Sequence, residues 1–434
     1  MSPLFTFQLQ SSQKNKKRPG AGESAMRYQT DFAAQQLADA PRTIQIGPWT
    51  LHYQAFSQHV TDKREPILML GGAFQSFRSF GAEVQELLPR HPVVLLDLPS
   101  QGGNLQLAPE LSLEQLADLI AAFAEEFQLP PLMPIGLSYG SALAALFAVR
   151  HPQRCARLLL AGITAFGRPG ARRMLEEGLE LLSEGQVLHF AQGALTGLIN
   201  PLRLEETGIS PVFRKALLRQ MQRLSPLELE RYRQNSRRLL DFSGFDHHPA
   251  CPTLVLAGEY DHFTQPWEHA GFAAACADAD CALIHNGDHL AQFEQREACA
   301  SFYRPFLQGV ALPLANPGAT RLARNRLDHL ERRQEARVAP LNRRGRLLHA
   351  EAGEFHVEVS ELGFFGGLVR GELPTNLPNR GWRLQAGDLP SLDALPLRHE
   401  GDSLALVFPH TDAQASDALA SQVVQTEPRA VAYA

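Results

Sequence analysis

Residues 136–140 read Gly-Leu-Ser-Tyr-Gly, and this stretch constrains the chain more than any other. Ahead of it, Pro131-Leu132-Met133-Pro134-Ile135 has the character of a short buried strand. Behind it, residues 141–148 are small and apolar and predict a helix. A strand that must become a helix within five residues makes a strained turn with another backbone close by, and glycine at both ends avoids the clash a Cβ would make. Such a turn holds its serine at the carboxyl edge of a sheet and at the mouth of a helix. The bland alternative is an ordinary turn serine.

A serine hydroxyl is a weak nucleophile and needs a base, which in turn needs an orienting group. Both have candidates downstream. The apolar run of residues 253–257 ends in Gly258-Glu259-Tyr260-Asp261, and that of residues 281–285 leads into Asn286-Gly287-Asp288-His289. We therefore expect Ser138 as nucleophile, His289 as general base and then acid, and Asp261 as the group that orients the imidazole. His262 and His285 compete with His289, and Asp261 also suits a helix N-cap. Asp288 is set aside because it adjoins His289, and neighbouring side chains diverge. An oxyanion site needs two backbone N–H groups. Tyr139, after the nucleophile, offers one. Ala73, in the Gly71-Gly72-Ala73-Phe74 loop that follows the apolar run 66–70, offers the other, with Phe74 as the alternative.

Residues 41–312 resemble the α/β-hydrolases. The resemblance rests on Gly71-Gly72-Ala73, Val93-Val94-Leu95-Leu96-Asp97-Leu98-Pro99, Gly136-Leu137-Ser138-Tyr139-Gly140, Gly258-Glu259-Tyr260-Asp261 and Gly287-Asp288-His289. Within that family the chain is most similar to the 3-hydroxyacyl transferases of rhamnolipid-precursor synthesis. There the match lies in Gly72-Ala73 with Ser79-Phe80, in Asp97-Leu98-Pro99, and in the intervals from Ser138 to Asp261 to His289. The resemblance implies a parallel sheet with helices on both faces, and an acyl ester or thioester as substrate.

The chain has 434 residues, too many for one ordinary core, so two domains are expected. Its net charge of −5 gives no reason to expect a nucleic-acid polymer as partner. No apolar run of about 18 residues predicts a membrane span. The N-terminus lacks a secretory pattern, and the five scattered cysteines suit reduced packing residues in the cytoplasm. The sixteen histidines show no metal-ligand spacing, and neither metal nor cofactor is expected.

Residues 1–40 are polar and predict a flexible segment. Thr43–Ile46 and Trp49–Tyr53 predict an opening hairpin. Between residues 166 and 242 the strand signal vanishes, which predicts a helical lid. Its Leu181, Phe190 and Leu195 suit either an acyl pocket or the lid's own core. Residues 313–330 read as a linker by their proline and glycine content, residues 331–420 as a second domain, and residues 421–434 as a flexible tail.

Nine arginines and no lysine crowd residues 321–346. Short alternating runs at residues 345–349, 354–359, 367–370 and 403–408 then predict a small all-β barrel of about six strands. This stretch resembles a PilZ domain, the receptor module for cyclic di-GMP. The resemblance rests on Arg333-Gln334-Glu335-Ala336-Arg337 as R-x-x-x-R, and on Glu358-Val359-Ser360-Glu361-Leu362-Gly363 as the barrel motif, with Glu358 in place of Asp or Asn. It implies that Arg333, Arg337, Glu358, Ser360 and Gly363 hold the nucleotide. Without a nucleotide, the barrel would serve homodimerisation or docking. The expected whole is a serine hydrolase under cyclic di-GMP control. The alternatives are a 3-hydroxyacyl acyltransferase, or a non-catalytic receptor that docks a partner.

Overall fold

The computed structural model describes residues 25–164, 167–332, 337–340 and 342–424. Ten strands form one sheet: β1 (Arg42–Ile46), β2 (Trp49–Phe56), β3 (Ile67–Leu70), β4 (Val93–Asp97), β5 (Met133–Leu137), β6 (Leu158–Ala161), β7 (Thr253–Gly258), β8 (Ala279–Ile284), β9 (Ala315–Asn316) and β10 (Ala319–Arg321). Their spatial order is β1-β2-β4-β3-β5-β6-β7-β8-β10-β9. Strands from β4 through β8 run parallel. The hairpin β1–β2 joins antiparallel at one edge and β10 at the other.

Alternation along β4 explains the two-sided core. Val93 and Leu95 face one apolar layer, while Val94 and Leu96 face the other. Helices α1 (Gly81–Leu87), α2 (Leu113–Glu126) and α3 (Tyr139–Arg150) connect the first strands. Residues 140–148 of α3 are buried all round, which accounts for their small apolar side chains.

Between β6 and β7 lies an all-helical insert of α4 (Pro169–Ser183), α5 (Val187–Leu198), α6 (Leu204–Thr207), α7 (Pro211–Met221) and α8 (Pro226–Asp241). It is tied to the segment between β4 and α2 by buried polar groups. Arg238 on α8 donates to the Leu111 and Ala108 carbonyls, and the Asn235 amide donates to the Ser100 carbonyl at 2.9 Å. Helix α9 (Pro266–Ala275) packs into the core on one face of the sheet, and α11 (Arg296–Leu307), which follows the short α10 (Ala291–Glu294), packs into the core on the other.

Six strands, β11 (Arg344–His349), β12 (Gly353–Leu362), β13 (Gly366–Arg370), β14 (Trp382–Ala386), β15 (Leu392–Glu400) and β16 (Ser403–Val407), close an antiparallel barrel in the order β11-β12-β13-β16-β15-β14. Helix α12 (Ala413–Val424) packs Leu419 and Val423 into the barrel core. The expected fold class therefore holds: an α/β-hydrolase fold followed by a small all-β barrel.

Three boundaries differ from expectation. Residues 313–330 are not a free linker. Pro317-Gly318, with Gly318 at φ 91°, turns the β9–β10 hairpin onto β8, and Leu327 is buried in the core. Residues 25–40 are not loose either, since Met26 and Tyr28 are buried and Gln29 bridges Phe56. The tail is helical as far as residue 424.

The barrel sits on the insert. Arg380, just before β14, pairs with Glu177 on α4 at 3.1 Å and with Glu184 at the end of that helix, and Arg173 donates to the Asn379 amide oxygen at 2.8 Å. A Cβ on Gly193 of α5 would strike the Pro409 carbonyl, so the two bodies meet backbone to backbone there.

Asp97 ends β4 and accepts the Gly103 N–H at 2.7 Å. Burial pushes its carboxyl up to about 7, against that N–H and the Arg231 guanidinium, which pull it down. The unfolded chain, with an ordinary aspartate near 3.9, loses its proton first as pH rises, so this group lowers stability between about pH 4 and 7. Asp97→Asn keeps an acceptor without the charge. In urea unfolding it should gain on the unaltered chain by about 2 kcal/mol between pH 5 and pH 8. A stability difference independent of pH contradicts this.

Candidate active site

Ser138 lies between β5 and α3 with φ 50° and ψ −120°, a region L-residues rarely occupy. Its N–H donates to the Ala161 carbonyl at 2.8 Å, which ties the turn to β6. A Cβ on Gly136 would overlap Ser141 Cα at 2.6 Å, and one on Gly140 would overlap the Leu70 carbonyl. Neither glycine admits a side chain, so the turn is held on both sides by neighbouring backbone.

His289 follows β8. Its Nε2 lies 2.9 Å from Ser138 Oγ, and its Nδ1 lies 2.9 Å from Asp261 Oδ2. Asp261 sits in the turn after β7, and both its side chain and that of His289 are 1% exposed. Burial penalises the Asp261 charge. The imidazole beside it and the hydrogen bonds it accepts outweigh that and hold its carboxyl below the usual range. The sequence-proposed serine, histidine and acid are thus brought into one hydrogen-bonded chain.

The rival residues lie elsewhere. His285 is bonded through Nε2 to Thr320 Oγ1 at 2.9 Å on β10, and has Glu259 at 3.5 Å. His262 stacks on Phe365 of the barrel. Asp288 turns away from the imidazole to accept the Asn200 N–H at 2.6 Å and the His289 backbone N–H at 2.8 Å. Burial, with Glu294 and Asp261 nearby, pushes the Asp288 carboxyl well above the usual range. Burial also pushes Glu294, which accepts the Asp288 N–H, up to about 7.

Sequence reasoning passed over Thr264 and Gly162. Thr264 donates its N–H to Asp261 Oδ1 at 2.8 Å and its hydroxyl to Oδ2 at 2.7 Å. The spacing Asp-x-x-Thr at a strand end was a readable cue, since an aspartate commonly binds the N–H three residues on. Gly162, at φ 62°, has no side chain because a Cβ would stand 2.9 Å from His289 Cε1. Nothing local in the sequence marks that approach.

The Gly71–Phe74 loop lies over the serine, and a Cβ on Gly72 would reach Ser138 Cβ at 3.1 Å. Ala73, Phe74, Ser138, Tyr139 and His289 share the wall of one cavity of about 1390 Å³. Much of the remainder is apolar and comes from the insert, including Leu175, Leu181, Phe190, Leu217 and Met221. Arg337, Glu361 and Gly363 of the barrel region line the same cavity. Arg337 pairs with Glu361 at 2.8 Å, and Glu358 pairs with Arg343 at 3.2 Å. Ser360 sits at a bulge in β12. Arg333 lies outside the described residues. Among the described residues, no cluster of histidine, cysteine, aspartate and glutamate is grouped to hold a metal ion.

Residues 65–295 match the family model described as alpha/beta hydrolase fold. The chain belongs to this family. Among curated proteins it is similar to the (R)-3-hydroxydecanoyl-ACP:CoA transacylase of Pseudomonas aeruginosa, at 22% identity over 62% of this chain and 95% of that protein. It is also similar to the 2-hydroxy-6-oxononadienedioate/2-hydroxy-6-oxononatrienedioate hydrolase 2 of Pseudomonas putida, at 24% identity over 62% of this chain and 97% of that protein. In structure it resembles an alpha/beta hydrolase enzyme from a Medee basin deep-sea metagenome library, with a TM-score of 0.56 at 18% identity, covering 63% of this chain and 99% of that one. This alpha/beta hydrolase has both hydrolases and a transacylase among its relatives.

Because a Cβ there meets the Leu70 carbonyl, Gly140→Ala should cost at least about 2 kcal/mol, through overpacking against backbone. Gly197→Ala on α5, with nothing within 4 Å of the added Cβ, should be neutral or gain up to about 1 kcal/mol. Denaturant unfolding of the two variants checks the contrast.

Proposed function

We propose that this chain is a serine-dependent acyl-transfer enzyme acting on an acyl ester or thioester. The observation that carries the reading is the unbroken hydrogen-bonded series from Asp261 through His289 to a Ser138 hydroxyl that opens into a large, mostly apolar cavity. Ser138 Oγ attacks the substrate carbonyl while His289 Nε2 takes its proton. The Ala73 and Tyr139 N–H groups receive the oxyanion. His289 then protonates the departing alcohol or thiol, leaving an acyl-Ser138 ester. A second acceptor gives its proton to His289, attacks that ester and restores the serine. Asp261, ionised, holds Nδ1 protonated throughout.

Water as the acceptor makes the chain an esterase or thioesterase. A hydroxyl acceptor makes it an acyltransferase that builds a hydroxyacyl ester. Two observations support this second reading: the likeness to a transacylase, and a cavity beyond the roughly 300–1,000 Å³ of ordinary small-molecule sites. All five cysteines are free thiols, which supports a cytoplasmic setting.

The same proposal makes the barrel a PilZ-like receptor for cyclic di-GMP, with Arg333 and Arg337 on the phosphates and guanines and with Glu358, Ser360 and Gly363 on the barrel edge. The shared cavity supports it, since Arg337 and Gly363 stand on the wall that also carries Ser138. A nucleotide there would control the serine from the cavity mouth.

Ser138→Ala and His289→Ala should each fold and each lose several orders of magnitude in kcat against acyl-ester and acyl-thioester substrates, since such groups act as a unit. His285→Ala should retain activity. A fluorophosphonate should label the unaltered chain at Ser138, and an active Ser138→Ala variant would refute the assignment. For the barrel, titration calorimetry should show cyclic di-GMP binding. Arg337→Ala should weaken it ten- to a hundred-fold, about 1.5–3 kcal/mol for a charge-assisted contact. No heat at tens of micromolar ligand rejects the receptor role.

A further inference from the structure

The turn that carries Asp261 touches two things at once. Phe263 presents its ring edge-on to the His289 imidazole, with centroids 5.1 Å apart and planes at 86°. Its neighbour His262 faces the opposite body and lies flat on Phe365, with centroids 3.6 Å apart and planes at 9°. Phe365 falls between β12 and β13, two residues after Gly363, and is 5% exposed. It is itself wedged edge-on against Phe364 and His410, and His410 is fixed by the Phe364 carbonyl at 2.8 Å and the Ser416 hydroxyl at 3.0 Å. The turn is clamped from the insert as well. Arg168, ahead of α4, donates to the His262 carbonyl at 2.6 Å and the Phe263 carbonyl at 3.1 Å. Burial, with Arg168 and His410 nearby, keeps His262 neutral, which suits a flat stack on phenylalanine.

We infer that Phe365 of the barrel is a positioning residue for the active site: its stack on His262 fixes the turn that carries Asp261 and Phe263, and so fixes the His289 imidazole. The inference rests on the reading of Ser138, His289 and Asp261 as the reacting machinery. It gives the barrel a part in the basal reaction that needs no bound nucleotide. A misplacement of about 1 Å in such a constellation costs up to a hundred-fold in rate, so a ring that reaches the imidazole only through the His262-Phe263 turn can matter.

The test uses the full chain. Phe365→Leu keeps apolar volume but loses the ring, and His262→Ala removes the other half of the stack. Each should lower kcat five- to thirty-fold with KM within about twofold, while thermal unfolding stays cooperative. The double variant should fall no more than about threefold below the worse single one, because both remove one contact. His262→Phe, which keeps a flat ring on Phe365, should recover at least half of the activity. Full kcat in a folded Phe365→Leu or His262→Ala chain, or effects that multiply in the double variant, overturns the inference while the reading of the site stands. If Phe365→Leu does not fold, His262→Ala and His262→Phe decide alone. An unaltered chain with neither fluorophosphonate labelling nor turnover overturns the reading and the inference together.

Discussion

The turn at Ser138 is the constraint on which the rest of the structure depends. Its backbone is forced to φ 50° because β5 must hand over to α3 with no intervening loop. Such a conformation costs about 1–3 kcal/mol and persists only where the surroundings over-determine it. Here the surroundings are the Leu70 carbonyl against Gly140, Ser141 against Gly136, and the Ala161 carbonyl on the Ser138 N–H. Those contacts need β3, β5 and β6 adjacent and parallel. They also need α3 pressed so close to the sheet that only small side chains fit beneath it. The sheet order and the composition of α3 both follow from seating one hydroxyl.

Electrostatics around the imidazole repeats the theme of over-determination. Three carboxyl groups, those of Asp261, Asp288 and Glu294, gather near His289, and their environments pull them apart. Asp261 faces Nδ1 and has hydrogen bonds to both oxygens from Thr264, so its charge is favoured despite burial. Among the described residues, Asp288 and Glu294 have no cationic partner of comparable closeness, and burial raises both. Asp261 is the carboxylate that meets the ring, at Nδ1, and a proton held there leaves Nε2 as the basic nitrogen facing the serine.

What could be read from the sequence divides by the range of the physics involved. Ser138, Asp261 and His289 were legible because each stands at the end of a strand run, where local pattern suffices. The barrel was legible in outline through β11, β12, β13 and β16, whose residues alternate. β15 was not, because Pro396 argues against a central strand, and the fold absorbs it at a register shift between Pro396 and Arg398. β9 and β10 were hidden by a composition that reads as linker, although Pro317-Gly318 is the turn that pairs them. Gly162 and Phe365 were illegible for a different reason. Their roles exist only through partners 127 and 103 residues away in the chain, His289 and His262, and no local pattern encodes such contacts.

The barrel edge that carries Arg337 and Glu358 is held by ion pairs of its own. Arg337 and Glu358 are not free groups, since each already has a partner of opposite charge in Glu361 and Arg343. Both pairs are largely exposed, with side chains 35–57% accessible, and exposed pairs of this kind contribute only about 0–1 kcal/mol. On the proposed receptor reading, a doubly charged nucleotide would displace them at little cost and gain charge-assisted contacts in their place. The Arg380 clasp differs, because its carboxylate Glu177 is 12% exposed and lies on the cavity wall. That pair is screened less by salt than the motif pairs. Raising ionic strength would therefore weaken the motif pairs before it loosened the barrel from the insert and disturbed the seat of Phe365.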